Sequence, residues 1–129
     1  MNIGKVAKLS DLTIKAVRYY DNVGLVQPKK HILTGYRDYT EEEVAKLKFI
    51  GKVRKFDFSI NECKELLSLY EDKNRTSKEV KKITLEKILQ IDIKLKDLNN
   101  LRKELSFLAS NCNGDDRPHC PILEEFSKN

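Results

Sequence analysis

A long helix predicted for residues 76–109, whose 34 residues include neither glycine nor proline, limits the fold of this 129-residue chain more than any other feature. A repeat with alternating steps of four and three passes through Thr84, Ile88, Ile91, Leu95, Leu98, Arg102, Leu105 and Ala109. This spacing is typical of the heptad seam of a coiled coil. One long helix does not cover its own apolar stripe in so small a chain, so we expect it to pair with a second copy. The alternative is that it folds back on residues 40–70.

The starts of several helices are marked by capping boxes, in which serine or threonine is followed three residues later by glutamate. The pattern occurs at Thr40 with Glu43, Ser59 with Glu62, and Thr76 with Glu79. It predicts helices that begin near 40, 59 and 76. Two shorter helices are expected at residues 3–9 and 13–22, with a turn between them and Gly24 as a stop signal. Residues 28–39 lack a helical period and are predicted to form a loop or short hairpin, which we call the wing.

The charge of the chain is unevenly distributed. Residues 1–56 carry 12 lysine and arginine residues against 6 acidic residues, whereas residues 57–129 carry 13 against 14. A basic front half fits nucleic-acid binding, although it is also compatible with an ordinary charged surface. The sequence shows no apolar run long enough to span a membrane and no signal peptide, so we expect a cytoplasmic protein with reduced thiols.

Two of the three cysteines, Cys112 and Cys120, bracket a short polar segment near the end of the chain. Two thiolates alone hold Cu(I), Ag(I) or Au(I) linearly, whereas a structural zinc site needs four ligands. Pro121 is favoured at a first helical position, which places Cys120 at the cap of a short helix. A disulfide or two unrelated cysteines is the alternative interpretation. His119 is a further candidate ligand, but we expect it to face solvent, and we expect Cys63 to be buried as packing.

We therefore expect a mainly α-helical chain with three parts. They are a winged helix-turn-helix domain with linker helices at 1–75, a dimerisation coiled coil at 76–109, and a metal-binding loop with a short C-terminal helix at 110–129.

Residues 13–28 (TIKAVRYYDNVGLVQP) and 35–40 (GYRDYT) strongly resemble the MerR family of bacterial transcription regulators. The order of a winged helix-turn-helix, a linker, a long helix and a cysteine loop resembles that family over essentially the whole chain. The candidate DNA-binding residues are Lys15, Arg18, Tyr19 and Tyr20 in the second helix and Tyr36, Arg37 and Tyr39 in the wing. Basic and hydroxyl groups within two helical turns suit a major groove, and we expect at least one of Tyr19 and Tyr20 to be largely buried.

The resemblance is closest to the copper-, silver- and gold-sensing members of the family. It implies a homodimer that binds palindromic promoter DNA and, on binding one monovalent ion per protomer, distorts the DNA and activates RNA polymerase. Divalent-metal sensors of the family place a cysteine where this chain has Ser77, so the resemblance favours a two-coordinate site at Cys112 and Cys120. It also implies that Lys81 lies near the metal and offsets the negative charge of the site.

Three positions depart from the family's usual pattern, namely His31, Thr34 and Asp57, the last of which replaces a customary glycine. A dithiol redox enzyme and a simple copper carrier are competing classes, because either uses two cysteines. The first lacks the CxxC spacing, and the second does not account for the basic front half. Within the family, a regulator that responds to a divalent metal or to a redox signal is the alternative.

Overall fold

The computed structural model describes residues 1 to 129, which form six helices and two short strands. In chain order these are α1 (Ile3–Ser10), α2 (Ile14–Asn22), β1 (Lys29–Lys30), β2 (Arg37–Asp38), α3 (Glu41–Lys55), α4 (Ile60–Glu71), α5 (Ser77–Ser110) and α6 (Pro121–Ser127). Every helix expected from the sequence is present, and the mainly α-helical fold class is confirmed. The chain divides into two compact units, Met1–Lys81 and Lys82–Asn129, and the division falls inside α5.

The first unit begins with a helix-turn-helix made of α1 and α2, which pack against each other. The Thr13 side chain caps α2 by accepting a hydrogen bond from the Ala16 amide at 3.0 Å. Gly24 follows the end of α2 with a φ of 75°, a left-handed conformation that glycine adopts without a steric penalty. The stop signal expected there is confirmed.

Helices α3 and α4 also belong to the first unit, with α3 packed against both α1 and α4. Both carry the predicted capping boxes. The Thr40 amide donates to Oε2 of Glu43 at 2.7 Å, and the Ser59 amide donates to Oε1 of Glu62 at 2.8 Å. Because these bonds join residues three apart, the local sequence is enough to indicate where the two helices start.

The connection between α3 and α4 contains one of two non-glycine residues with a positive φ. Asp57 has a φ of 66° and donates its amide to the Arg54 carbonyl at 3.1 Å. Left-handed backbone costs an L-residue free energy that glycine does not pay, although aspartate tolerates it better than most. The geometry explains why glycine is favoured at this position, and it shows that the aspartate adopts the left-handed conformation.

The wing is a two-stranded antiparallel hairpin in which Lys29 is paired with Asp38 and Lys30 with Arg37. The Tyr39 amide, just beyond β2, donates to the Met1 carbonyl at 3.0 Å. Under the hairpin and the helices lies one core, whose fully buried side chains are Val6, Val17, Val26, Tyr39, Leu47, Ile50 and Cys63. The expected packing role of Cys63 is confirmed, because its side chain is completely buried.

The second unit consists of most of α5 and the short helix α6. Its portion of α5 exposes many large apolar side chains, among them Leu85, Ile88, Leu89, Ile93, Leu95, Leu98, Leu101, Leu105 and Phe107. Four of these, at 88, 95, 98 and 105, belong to the predicted heptad seam. None of the helices is both long and apolar enough to cross a lipid bilayer.

Candidate DNA-binding surface and metal-binding loop

The second helix, α2, presents a basic and aromatic surface. Lys15 and Arg18 are exposed, and the Tyr19 side chain is half exposed. Val17 and Tyr20 on the opposite side of the helix are buried, so exposed and buried residues follow the helical period. This places the exposed residues together on one side of α2, as docking in a major groove requires.

The wing lies beside this surface. Arg18 of α2 and Tyr36 and Arg37 of the wing line one open depression of about 410 Å³, together with Asn2, Ile3 and Gly35. Tyr36 is 74% exposed, so its hydroxyl is accessible to a partner. The structure thus brings together three of the predicted DNA-binding residues, which come from two different elements.

An ion pair connects the second helix to the wing. The Arg37 guanidinium contacts the carboxylate of Asp21, which is 9% exposed, whereas Arg37 remains half exposed. Asp21 is not among the site residues predicted from the sequence. Its position in the last turn of α2 could have indicated an ion pair, because the negative end of the helix dipole disfavours a carboxylate that has no cationic partner.

Two predicted DNA contacts need correction, because the structure buries Tyr20 and Tyr39. Their side chains are 7% and 1% exposed, so both rings belong to the core and neither presents a surface to DNA. Burial, with a smaller contribution from Asp21, raises the pKa of Tyr39, and its hydroxyl has no hydrogen-bond partner. The expectation that at least one of Tyr19 and Tyr20 is buried is confirmed, and Tyr19 is the exposed member.

The predicted metal ligands bracket the connection between α5 and α6. Cys112 follows the end of α5 and donates its amide to the Ala109 carbonyl at 3.2 Å. Cys120 is the N-cap residue of α6, its side chain makes no capping hydrogen bond, and Pro121 occupies the first turn as expected. Both thiols are free and half-buried. The disulfide alternative is therefore not the state that the structure describes.

The segment between the cysteines is held by local polar bonds. The Arg117 guanidinium donates to Oδ2 of Asp115 at 2.6 Å, and the Arg117 amide donates to Oδ1 at 2.9 Å. These hydrogen bonds hold the pKa of Asp115 below its ordinary value. His119 is exposed, and its Nδ1 lies 3.3 Å from Oε1 of Glu124. The structure assembles no group of three or more His, Cys, Asp or Glu side chains suited to a metal ion.

Ser77 and Lys81 lie on the first turns of α5, within the first unit, whereas the cysteines belong to the second. Both side chains are exposed. The preceding Thr76 accepts a hydrogen bond from the Glu79 amide at 3.4 Å, which is the expected helix-start chemistry. The role of Ser77 and Lys81 in a metal site stays a prediction.

Residues 1–70 match the MerR HTH family of regulatory proteins, and residues 44–108 match a second family profile described as MerR, DNA binding. The chain belongs to the MerR family. It is 46% identical over 127 residues to the HTH-type transcriptional regulator HmrR of Rhizobium leguminosarum bv. viciae, covering 98% of each chain. It is 42% identical to the HTH-type transcriptional regulator CueR of Salmonella typhimurium, covering 98% of this chain and 92% of CueR.

Among solved structures, the transcription regulator PbrR691 of Ralstonia metallidurans, in complex with lead(II), superimposes with a TM-score of 0.82 at 29% identity. The match covers 98% of this chain and 99% of PbrR691. The relatives are transcriptional regulators, so this MerR family chain is a regulator of transcription and not an enzyme.

Proposed function

We propose that this MerR family regulator is a homodimeric transcription activator that senses a monovalent soft metal ion, Cu(I) with Ag(I) or Au(I) as alternatives. The observation that carries the proposal is the pair of free, half-buried thiols, Cys112 and Cys120, at the two ends of one short connection. Such a donor set suits a two-coordinate d10 ion.

The first step is recognition of promoter DNA. Arg18, Tyr36 and Arg37 border one depression, and Lys15 and Tyr19 are exposed on the same helix as Arg18. Phosphate contacts from the wing position α2 in a major groove, where its side chains reach base edges. Tyr20 and Tyr39 support this surface from the core rather than touching the DNA.

The second step is pairing of two copies through the part of α5 that lies in the second unit. Leu95, Leu98 and Leu105 are each more than half exposed there, and they occupy the predicted heptad seam. Burying this stripe against the same helix of a second copy removes a large apolar area from water. A symmetric dimer then contacts two half-sites of a palindrome, about one helical turn of ~10 base pairs apart.

The third step is metal capture. Cys112 and Cys120 would supply two thiolates, while Ser77, whose hydroxyl is a poor ligand for a soft ion, would leave the site two-coordinate. Cys112 and Cys120, as thiolates on a monovalent ion, would join the two ends of the connection at one centre and would carry a net negative charge. The Lys81 ammonium would offset that charge.

Metal binding controls transcription only if the ion has different affinities for two protein-DNA states. Bending a site of this size costs on the order of 1 to 6 kcal/mol, which is within the range that one metal-thiolate site can shift. We propose that the loaded dimer distorts the DNA between promoter elements so that RNA polymerase engages both. Linkage then requires that DNA in the distorted state bind metal more tightly.

The second candidate is a MerR regulator of a divalent metal, and the similarity to PbrR691 in complex with lead(II) is the observation that favours it. Ser77 distinguishes the two functions, since a divalent thiolate site needs an additional strong ligand.

The proposed function is tested by transcription from a purified system. DNA selected by the full-length protein from a random duplex pool is placed in a promoter, and RNA synthesis is measured with Cu(I), Pb(II) or Zn(II) under anaerobic conditions. The expected result is activation by Cu(I) alone. Cys112→Ser and Cys120→Ser should bind the same DNA but give no activation, and Lys81→Gln should weaken the metal response without weakening DNA binding. Activation by Pb(II) or Zn(II) in preference to Cu(I) would establish the second candidate instead.

A further inference from the structure

The tip of the wing, residues 31–36, exposes two large aliphatic side chains to solvent. Ile32 is 97% exposed and Leu33 is 88% exposed, which are the highest values among the large hydrophobic residues of the chain. Neither side chain packs against the core of the first unit. Because apolar surface is unfavourable in water, an adjacent pair of this kind on a protruding tip indicates a partner.

The backbone of the wing tip holds these side chains outward. The His31 amide donates to the Tyr36 carbonyl at 2.8 Å, and the Gly35 amide donates to the His31 carbonyl at 2.9 Å. The turn closes through Gly35, which has a φ of 67°. The Tyr36 amide also donates to the Thr34 hydroxyl at 3.3 Å. These bonds fix the backbone of the tip on both sides of Ile32 and Leu33, so the tip is preorganised.

The charges around the tip select the chemistry of the partner. Lys29 and Lys30 on β1 and Arg37 on β2 are all exposed beside it. Asp38, the carboxylate on these strands, is paired with the Met1 amino group at 2.7 Å. An apolar tip flanked by cations on both strands fits a surface whose rim is anionic and whose interior is apolar. Duplex DNA has that arrangement, with phosphates at the groove edges and stacked bases between them.

The wing tip is also continuous with the candidate DNA-binding surface, since Tyr36 and Arg37 line the depression that contains Arg18. A hairpin tip that follows a helix docked in a major groove reaches the adjoining minor groove, which is about 6 Å wide and admits single side chains. Isoleucine and leucine are among the residues that enter minor grooves as wedges between base steps.

We infer that Ile32 and Leu33 form an apolar wedge that enters the minor groove beside each half-site and partly unstacks one base step. The inference rests on the proposed DNA-binding function and adds to it a source of DNA distortion and of sequence preference. The wedge favours flexible pyrimidine-purine steps, which unstack most readily, although no base edge is hydrogen-bonded. Two wedges in a dimer bend the flanks of the site before any metal binds.

The test compares the full-length protein with an Ile32→Ser, Leu33→Ser double variant on duplex DNA selected by the native protein. 2-Aminopurine, whose fluorescence increases when it is unstacked, is placed in turn at each flanking step. The matched control is an Ile32→Val, Leu33→Met double variant, which keeps the tip apolar. Both positions are exposed, so we expect both double variants to fold. Thermal unfolding midpoints equal to that of the native protein verify this.

The native protein and the apolar control should increase the fluorescence at one flanking step on each side, and the serine variant should not. The serine variant should bind the selected DNA about tenfold more weakly, because apolar contacts are lost. The slope of affinity against salt should stay unchanged, since no phosphate contact is removed.

Equal fluorescence and equal affinity in the native and serine variants would overturn the wedge while leaving DNA binding intact. Unchanged DNA binding with reduced transcription by RNA polymerase would also overturn it, because the tip would then contact a protein. If the native chain selects no DNA from the pool, the proposed function itself fails, and the wedge fails with it.

Discussion

Asp21, in the last turn of α2, forms an ion pair with Arg37 in β2, and this contact joins α2 to the wing. The carboxylate is nearly buried while the guanidinium is half exposed, so Arg37 keeps donors available for a phosphate. The pair therefore sets the position of the wing relative to α2 within the first unit, and it leaves Arg37 able to contact DNA.

Asp21→Asn should lower the free energy of unfolding by about 1 to 2 kcal/mol, because a nearly buried charge-assisted interaction is lost. Arg37→Gln should cost a similar amount, and the double variant little more than either single change, as expected for residues in contact. Urea denaturation at one fixed protomer concentration measures the free energy of unfolding of the native protein, the two single variants and the double variant. Strictly additive effects would show that the ion pair does not couple α2 to the wing.

Glu43→Gln should reduce stability at neutral pH but not in acid. Burial opposes ionisation of Glu43, but hydrogen bonds with Thr40 outweigh it and hold the pKa of this carboxyl below its ordinary value. A lowered folded-state pKa stabilises the fold above the ordinary pKa of about 4.3, and this contribution disappears as pH falls through the folded-state value. The loss at pH 7 should be about 0.5 to 1 kcal/mol, as for a carboxylate at a helix start.

Thermal unfolding at pH 7 and pH 3 measures this difference, with Glu41→Gln as the matched control on the same helical turn. Glu41 is exposed and lies in the same first turn, so its variant should lose only a small helix-dipole contribution at pH 7, less than Glu43→Gln, and nothing at pH 3. A Glu43→Gln deficit that is equally large at pH 3 would contradict the proposed role of the ionised carboxylate.

Asp57→Gly should stabilise the first unit by about 1 kcal/mol, because glycine adopts the observed left-handed conformation at lower cost. Asp57→Asn is the matched control, since it removes the charge near the end of α3 and keeps the side chain. We expect urea denaturation to show a smaller increase in the free energy of unfolding for the asparagine variant than for the glycine variant. An equal gain would assign the effect to the charge rather than to the backbone.

Much of the fold was predictable because its signals are local. The capping boxes at Thr40 and Ser59 and the proline at 121 specify helix starts through contacts three residues apart. The burial of Tyr39 and the pairing of Asp21 with Arg37 were not predictable in the same way. They depend on how α2 and the wing approach each other, and aromatic residues in a basic segment suit either a core or a surface.

Leu95→Glu and Leu98→Glu should convert the dimer into monomers, since each places a charge in the proposed apolar interface. Lys96→Glu, between them on α5, changes charge by more but lies outside the seam and should leave the dimer intact. Sedimentation across a range of protein concentrations measures the dissociation constant, which should increase at least tenfold for the leucine variants. Monomers in the native protein, or equal effects of all three changes, would contradict pairing through this seam.

An anaerobic titration of the reduced protein with Cu(I) against a competing chelator, with Zn(II) in parallel, tests the proposed two-thiolate site directly. The expected result is one tightly bound Cu(I) per protomer, lost in both Cys112→Ser and Cys120→Ser and not matched by Zn(II). Cys63→Ala, at a buried position in the core of the first unit, should bind as the native protein does. Preferential binding of Zn(II), or Cu(I) binding that survives both serine substitutions, would contradict the monovalent two-thiolate sensor.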